Sequence, residues 1–289
     1  MPTLYLDTTI YDHIEKGYFP VTDVEALRAA IARRKIIAHV SIPNVEELVG
    51  DFTRQRDAAI RRLRIAHDLA GFDCLLKQPS DILNEAIAAY AKANAAPSPL
   101  LPTGERKRLR ALLDRFLGGD TSSNADMVAI VNGVRRMKEE HRGSMQEGRK
   151  RALNDPEWVA LSPMQRRAFE FLPFFQDNAE YWAGAYADHT PFGDACRTRG
   201  LSGLVAVRPV RLLLAGFLSF MHRAVVGDGV QTRTPKPGDF YDVWHGILAS
   251  ACDVFVTADQ DLLAALQSVP SEGFRAVTFH ELLRDYVVK

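Results

Sequence analysis

The chain has 289 residues, 47% hydrophobic and 25% charged, the profile of a globular protein long enough for one large or two modest domains. This composition argues against disorder, and the balance of 36 Lys/Arg against 36 Asp/Glu neither recommends nor excludes a nucleic-acid partner. The charge is uneven, however: residues 51–153 carry 19 basic and 13 acidic side chains, the remainder 17 and 23.

In chain order, residues 3–6 (TLYL) form a short apolar run ending at Asp7, and TTIYDHIEKGYF follows with N-cap residue types at its start. That predicts a strand and then a helix. Residues 22–34 show helical spacing at Val24, Leu27 and Ile31, after which KIIAHVS reads as a buried strand. Pro43 suits the first turn of the next helix. Long helical patterns then occupy 53–70, 80–95, 104–117, 123–152, 163–187 and 208–226, broken at AAPSPLLPTG, LGGDTSSN, NDPEW and HTPFGD. The Pro-containing stretch TRTPKPGD, 232–239, connects to a final alternation of helix and strand. There FYDVWHGILASAC is helical with Val243, Ile247 and Ala251 on its apolar face, DVFVT is a strand ending at Thr257, and DQDLLAALQSV is helical. FRAVTF is a last strand, and HELLRDYVV a terminal helix. Strands alternating with helices imply an α/β fold, a parallel sheet with helices on both faces, interrupted by a mostly α-helical insertion. The expected division is a discontinuous core, 1–52 and 236–289, around an insertion, 53–235.

Cys74, Cys196 and Cys252 form no CxxC pair and have no nearby His pair, which argues against structural zinc and against a disulfide framework. Asp7 and Asp12 interrupt any apolar core of a secretory signal, and Arg208, Pro209 and Arg211 interrupt the most apolar long stretch, 204–221. A cytoplasmic protein without a membrane span is the expectation.

Four acidic segments carry the chemistry: LYLDTT around Asp7, SIPNVEEL around Glu47, GDFYDVWH around Asp242 and FVTADQDL around Asp259. In open parallel sheets, sites form outside the carboxyl ends of the strands, where these acids fall. Carboxylates gathered in one cleft repel unless a cation lies among them, so a metal-dependent phosphodiesterase is expected. Oxygen donors without a Cys or His cluster suit Mg²⁺ or Mn²⁺ better than zinc. An isolated Asp after a strand is, by contrast, commonly a helix N-cap.

Laid in order, these segments resemble the PIN domain, a nuclease fold. LYLDTT is like the family's opening strand with its Asp and following Ser/Thr, and SIPNVEEL is like the segment with a Glu six residues after a Ser. FYDVWHGILASACDVFVTADQDLL is like the helix Asp followed about 17 residues later by Thr-x-Asp-x-Asp, as Asp242 is by Asp259. The resemblance covers 1–52 and 236–289 and leaves the insertion unaddressed. It implies Asp7, Glu47, Asp242 and Asp259 as metal-site acids, Asp261 as an alternative or additional one, and Thr8 or Thr9 and Thr257 as hydrogen-bonding assistants. It also implies a ribonuclease using one or two ions and leaving a 5′-phosphate.

Other residues have two readings. Glu46 and Glu47 are adjacent, and the offset from Ser41 favours Glu47. Asp239 reads as an N-cap of its helix before it reads as a fifth acid. His245, one turn after Asp242, either touches a phosphate, orients an acid, or is simply a buried and satisfied histidine, the commoner case. Trp244 and the series Phe169, Phe171, Phe174 and Phe175 read as core before stacking platforms. The clusters RQRDAAIRRLR, ERKRLR and RRMKEEHRGSMQEGRKR are either solvated faces or backbone-holding surfaces, with Arg61, Arg62 and Arg64 expected to border the cleft. The expected partner is RNA. A homo-oligomer stays open, and nothing in the residues supports an antitoxin-like protein partner. The rivals are a noncatalytic PIN-like scaffold binding RNA or protein, and a phosphomonoesterase, which would want a DxD after the first strand where Asp7 has Thr8 and Thr9.

Overall fold

The computed structural model describes residues 1–287 except 51, 121, 123, 163, 164, 166–169, 227–233, 235, 237 and 238. Five strands, β1 (Thr3–Leu6), β2 (Ile37–Ser41), β3 (Leu75–Leu76), β4 (Val254–Val256) and β5 (Arg275–Val277), form one sheet in the order β3-β2-β1-β4-β5. All four pairings are parallel, with Leu4 beside Ala38 and Val254 and Leu6 beside Val256. Alternate strand residues point to opposite faces, so each strand is apolar along both. Leu4, Leu6, Val40, Val254 and Val256 enter one buried cluster, and Tyr5, Leu76, Phe255 and Ala276 enter another.

Helices cover both clusters. On the first face lie α1 (Thr8–Glu15), α2 (Val21–Ala32), α3 (Ile42–Leu48) and α4 (Arg56–Ala70), contributing Ile10, Tyr11, Leu27, Leu48, Leu63 and Leu69. The helices Arg208–Val225, Asp239–Ala249 and Gln260–Ser268 cover the second with Leu213, Val243, Ile247 and Leu262. The chain therefore winds outward from β1 in both directions, and the order reverses between β1 and β4. That is the topological switch point where such sheets open a crevice.

The stretch 53–235 is mostly helical, including α5 (Pro79–Ala91), α6 (Thr103–Leu117) and α7 (Asn124–Leu153), followed by Phe171–Asp188. It also supplies the edge strand β3, and α4 packs on the sheet. A two-residue strand leaves no periodicity in a sequence, which is why no strand is expected between the helical patterns 53–70 and 80–95. Phe169 and most of the connector 232–239 lie outside the described residues, while Phe175 is buried and Phe171 and Phe174 pack edge-on against His222. After β5, Thr278 opens a short helix through a capping box with Glu281, and the chain continues as a π-helical turn, Leu283–Val287.

The Asp239–Ala249 helix packs so tightly on Arg208–Val225 that a Cβ at Gly246 would lie 2.7 Å from the Leu212 carbonyl oxygen. Among the described residues no helix is long and apolar enough to cross a membrane.

Candidate functional site

Asp7 directly follows β1, and Thr257 directly follows the neighbouring strand β4, so parallel pairing alone places them side by side. Asp7 occupies the N-cap position of α1 yet makes no side-chain cap bond. Its Oδ2 instead accepts the hydroxyls of Thr257 at 2.6 Å and Thr9 at 2.7 Å. Asp7 is 4% exposed, and Thr257 is buried beneath it. The Thr257 hydroxyl also accepts the backbone N–H of Asp259 at 2.9 Å, which fixes the turn into the next helix. Asp259 caps that helix, its Oδ1 accepting Leu262 N–H at 2.8 Å.

Glu47 comes from the last turn of α3. That helix starts at a capping box between Ser41 and Asn44, with Pro43 in its first turn. Buried Asn44 also donates to the Leu6 carbonyl at 3.3 Å and to Thr8 Oγ1 at 3.2 Å, locking α3 to the end of β1. Glu47 Oε2 then accepts Thr8 Oγ1–H at 2.9 Å. Its neighbour Glu46 turns the other way and accepts the Tyr241 hydroxyl at 3.1 Å. Burial raises the Glu46 carboxyl above the usual range, opposed by that hydrogen bond. The two adjacent glutamates thus diverge, as helix geometry requires.

His245 is 1% exposed and touches the acids directly. Its Nε2 lies 2.9 Å from Glu47 Oε2 and 3.5 Å from Asp7 Oδ1, and its Nδ1 lies 2.8 Å from the Tyr5 hydroxyl. Burial pulls the imidazole pKa down, but the hydrogen bond to Glu47 and the charges of Asp7, Glu47 and Asp242 raise it above its ordinary value. When protonated, His245 donates to Tyr5, whose hydroxyl passes a bond at 2.9 Å to Ser41 Oγ, which donates to Asn44 Oδ1 at 3.0 Å. One buried relay therefore joins β1, α3 and the Asp239–Ala249 helix. Of the readings the sequence left open for His245, the buried and satisfied histidine is seen, and it is Glu47 that satisfies it.

Lys138, from α7, completes the surroundings of Glu47. Its Nζ lies 3.1 Å from Glu47 Oε1 and 4.4 Å from the centroid of the Tyr241 ring. Burial pushes the Glu47 carboxyl up, but His245 and Lys138 outweigh it and bring it down to about 2. Asp242 has the opposite environment. It is half-buried in the first turn of its helix and accepts no hydrogen bond among the described residues. Burial and then the charges of Asp7 and Asp259 lift its carboxyl well above the usual range, with His245 opposing them.

The remaining expected residues are placed elsewhere. Asp239 is buried, and its Oδ2 accepts the Lys236 backbone N–H at 2.7 Å, holding the entry to the helix. Asp261 is exposed and pairs with Arg223. Arg61 pairs with Glu15 at 2.8 Å, Arg62 reaches Asp12 at 3.4 Å, and Arg64 donates to the Leu117 carbonyl at 3.1 Å, so all three serve packing around α1, α4 and α6. Trp244 is half-buried and packs against Phe240 and Tyr241. Tyr5, Asn44 and Lys138 were not legible as site residues. Tyr5 reads as one more apolar strand residue, and Lys138 lies 91 positions from Glu47 among many other charges of its helix.

Asp7, Asp242, Asp259 and Glu47 offer hard oxygen donors, and Asp242 accepts no hydrogen bond among the described residues, so the donor chemistry is of the kind that suits a divalent cation. Among the described residues, no group of three or more His, Cys, Asp or Glu side chains is arranged to hold a metal ion as it stands. His245 and Lys138 hold Glu47, and the Leu262 N–H holds Asp259. Comparison with protein-family models, curated proteins and solved structures gave no match.

Proposed function

We propose that this chain is a divalent-metal-dependent ribonuclease with a PIN-like core, acting by phosphodiester hydrolysis in the cytoplasm. The observation that carries this reading is Asp242: a half-buried carboxylate that feels the charges of Asp7 and Asp259 and has no hydrogen-bond donor among the described residues. Such an arrangement is electrostatically costly by itself, and a cation relieves it. Asp7, Asp242 and Asp259, joined by Glu47, would hold Mg²⁺ or Mn²⁺. When bound, the ion supplies a nucleophilic water at neutral pH and neutralises charge on the phosphoryl oxygens. Thr9 and Thr257 hold the Asp7 carboxylate in one orientation, and His245 holds Glu47 against the end of β1. Lys138 places a fixed positive charge at the rim, where a substrate phosphate can exchange with Glu47 for its ammonium.

Asp7→Asn is the direct test. Manganese-dependent cleavage of a labelled RNA should vanish while the melting temperature stays within a few degrees of wild type. Undiminished cleavage would sink the assignment.

One observation favours the noncatalytic scaffold instead: Glu47 is already neutralised by His245 and Lys138 without a metal. Manganese titration separates the two, because an ion that binds the folded state raises the melting temperature by mass action, and a scaffold without a metal site shows no such shift.

A further inference from the structure

The middle of α7 and the turn after α3 enclose a cleft of about 440 Å³, lined by Glu47, Gly50, Arg54, Val134, Arg135, Lys138 and Glu139. Three of these side chains are cationic, and the cleft ends on an acid of the site. They come from two sequence clusters some 80 residues apart, RQRDAAIRRLR and RRMKEEHRGSMQEGRKR, which read separately as solvated faces and which the fold brings together.

The three cations are held in graded ways. Lys138 is anchored by Glu47 and the Tyr241 ring. Arg135 donates to Thr53 Oγ1 at 2.7 Å, which aims its guanidinium along the cleft wall and leaves other N–H groups to donate. Arg54 is exposed and has no hydrogen-bond or ion-pair partner among the described residues. Of the two acids in the lining, Glu139 is paired with Arg142 and Glu47 belongs to the acid cluster. Among the described residues, the side-chain donors lining this cleft are therefore cationic, and one guanidinium is uncommitted.

We infer that this cleft binds the phosphodiester backbone of single-stranded nucleic acid, with one phosphate held by Arg54, Arg135 and Lys138. Guanidinium groups match phosphate oxygens in a bidentate way, and two of them beside an ammonium read a phosphate rather than a base. A duplex presents its phosphates on a broad convex surface, whereas a cleft of this size admits one strand. Because the cleft ends at Glu47, a strand seated in it runs its next phosphodiester toward Asp7 and Asp242. This last step rests on the ribonuclease reading; the binding itself does not.

The test is fluorescence anisotropy with labelled RNA and DNA oligonucleotides of about 12 nucleotides, using the full chain in EDTA so that no cleavage intervenes. Wild type should bind both, since backbone charge is what is recognised, and affinity should fall steeply with salt. Arg54→Glu should weaken binding by about tenfold at low salt, and Arg54→Ala should lower the salt slope by about 0.7 to 1. Arg54 has no hydrogen-bond or ion-pair partner among the described residues, so these variants should melt as wild type does. Arg54→Glu binding as tightly as wild type, or wild type failing to bind either strand, would overturn the inference. Asp7→Asn should bind at least as tightly as wild type. Wild-type binding without cleavage under manganese would leave the cleft standing and remove the ribonuclease reading, whereas cleavage that Arg54→Glu leaves unchanged, together with unchanged binding, would do the reverse.

Discussion

His245 Nε2 and Glu47 Oε2 lie 2.9 Å apart although 198 positions separate them in the chain, and this pair couples the Asp239–Ala249 helix to α3 across the end of β1. Its pH dependence follows from the two shifts. Glu47 is depressed from 4.5 to about 2, so its stabilisation is present above 4.5 and is lost as pH falls from there toward 2. His245 is raised above 6.5, so its stabilisation is present below 6.5 and is lost as pH rises through the higher folded value. Without metal, Glu47→Gln should cost about 1–3 kcal/mol between pH 4.5 and 6.5, and less on either side. Urea midpoints of wild type and variant across pH check this; a difference that does not vary with pH would refute the pairing.

Asp242 should behave oppositely. A carboxyl raised by burial and by neighbouring acids makes the folded state unfavourable for its charged form, so a neutral isostere removes a cost at neutral pH. Metal-free Asp242→Asn should melt a few degrees higher than wild type, and its gain on adding manganese should be smaller. A lower melting temperature in the metal-free variant would show that Asp242 is satisfied in a way this geometry does not contain.

Tyr5→Phe removes the hydroxyl between His245 and Ser41 without changing the packing of the ring on Phe255. His245 Nδ1 loses its partner and Ser41 Oγ keeps only its bonds to Asn44, so the expected cost is about 1–3 kcal/mol. Loss of the His245 Nδ1 bond should also broaden or shift the imidazole NMR resonances of that residue. Wild-type stability in this variant would mean the relay contributes nothing to holding the histidine.

Gly246→Ala tests whether packing far from the acids sets their position. The added methyl would meet the Leu212 carbonyl oxygen at 2.7 Å, and backbone cannot rotate away, so helix Asp239–Ala249 must shift. We expect a loss of about 1–3 kcal/mol and, because Asp242 and His245 ride on this helix, a weakened manganese-induced rise in melting temperature. A variant as stable as wild type would show that the two helices separate more easily than their packing indicates.

Much of the fold was legible because local pattern carries it. TLYL, KIIAHVS, DVFVT and FRAVTF are apolar runs bounded by turn signals, and they give β1, β2, β4 and β5. Asp7 and Asp259 could likewise be placed from the ends of β1 and β4 and Glu47 from the segment after β2, whereas Asp242 stands in the first turn of a helix that follows no strand. By contrast, β3 is two residues long, and its place at the sheet edge depends on Leu75 and Leu76 finding opposite faces of a sheet already formed.

The sequence by itself determined an α/β chain with acids at the carboxyl ends of its strands, since alternation, capping types and spacing are local properties. Only the tertiary structure decided how those acids are answered. His245 rather than solvent meets Glu47, Lys138 arrives from α7, Asp261 turns to Arg223, and Asp242 is left without a donor among the described residues. The physical reason is distance: charge and hydrogen bonding act over a few ångströms in space, and residues 91 and 198 positions apart have no pattern in the chain that records their meeting.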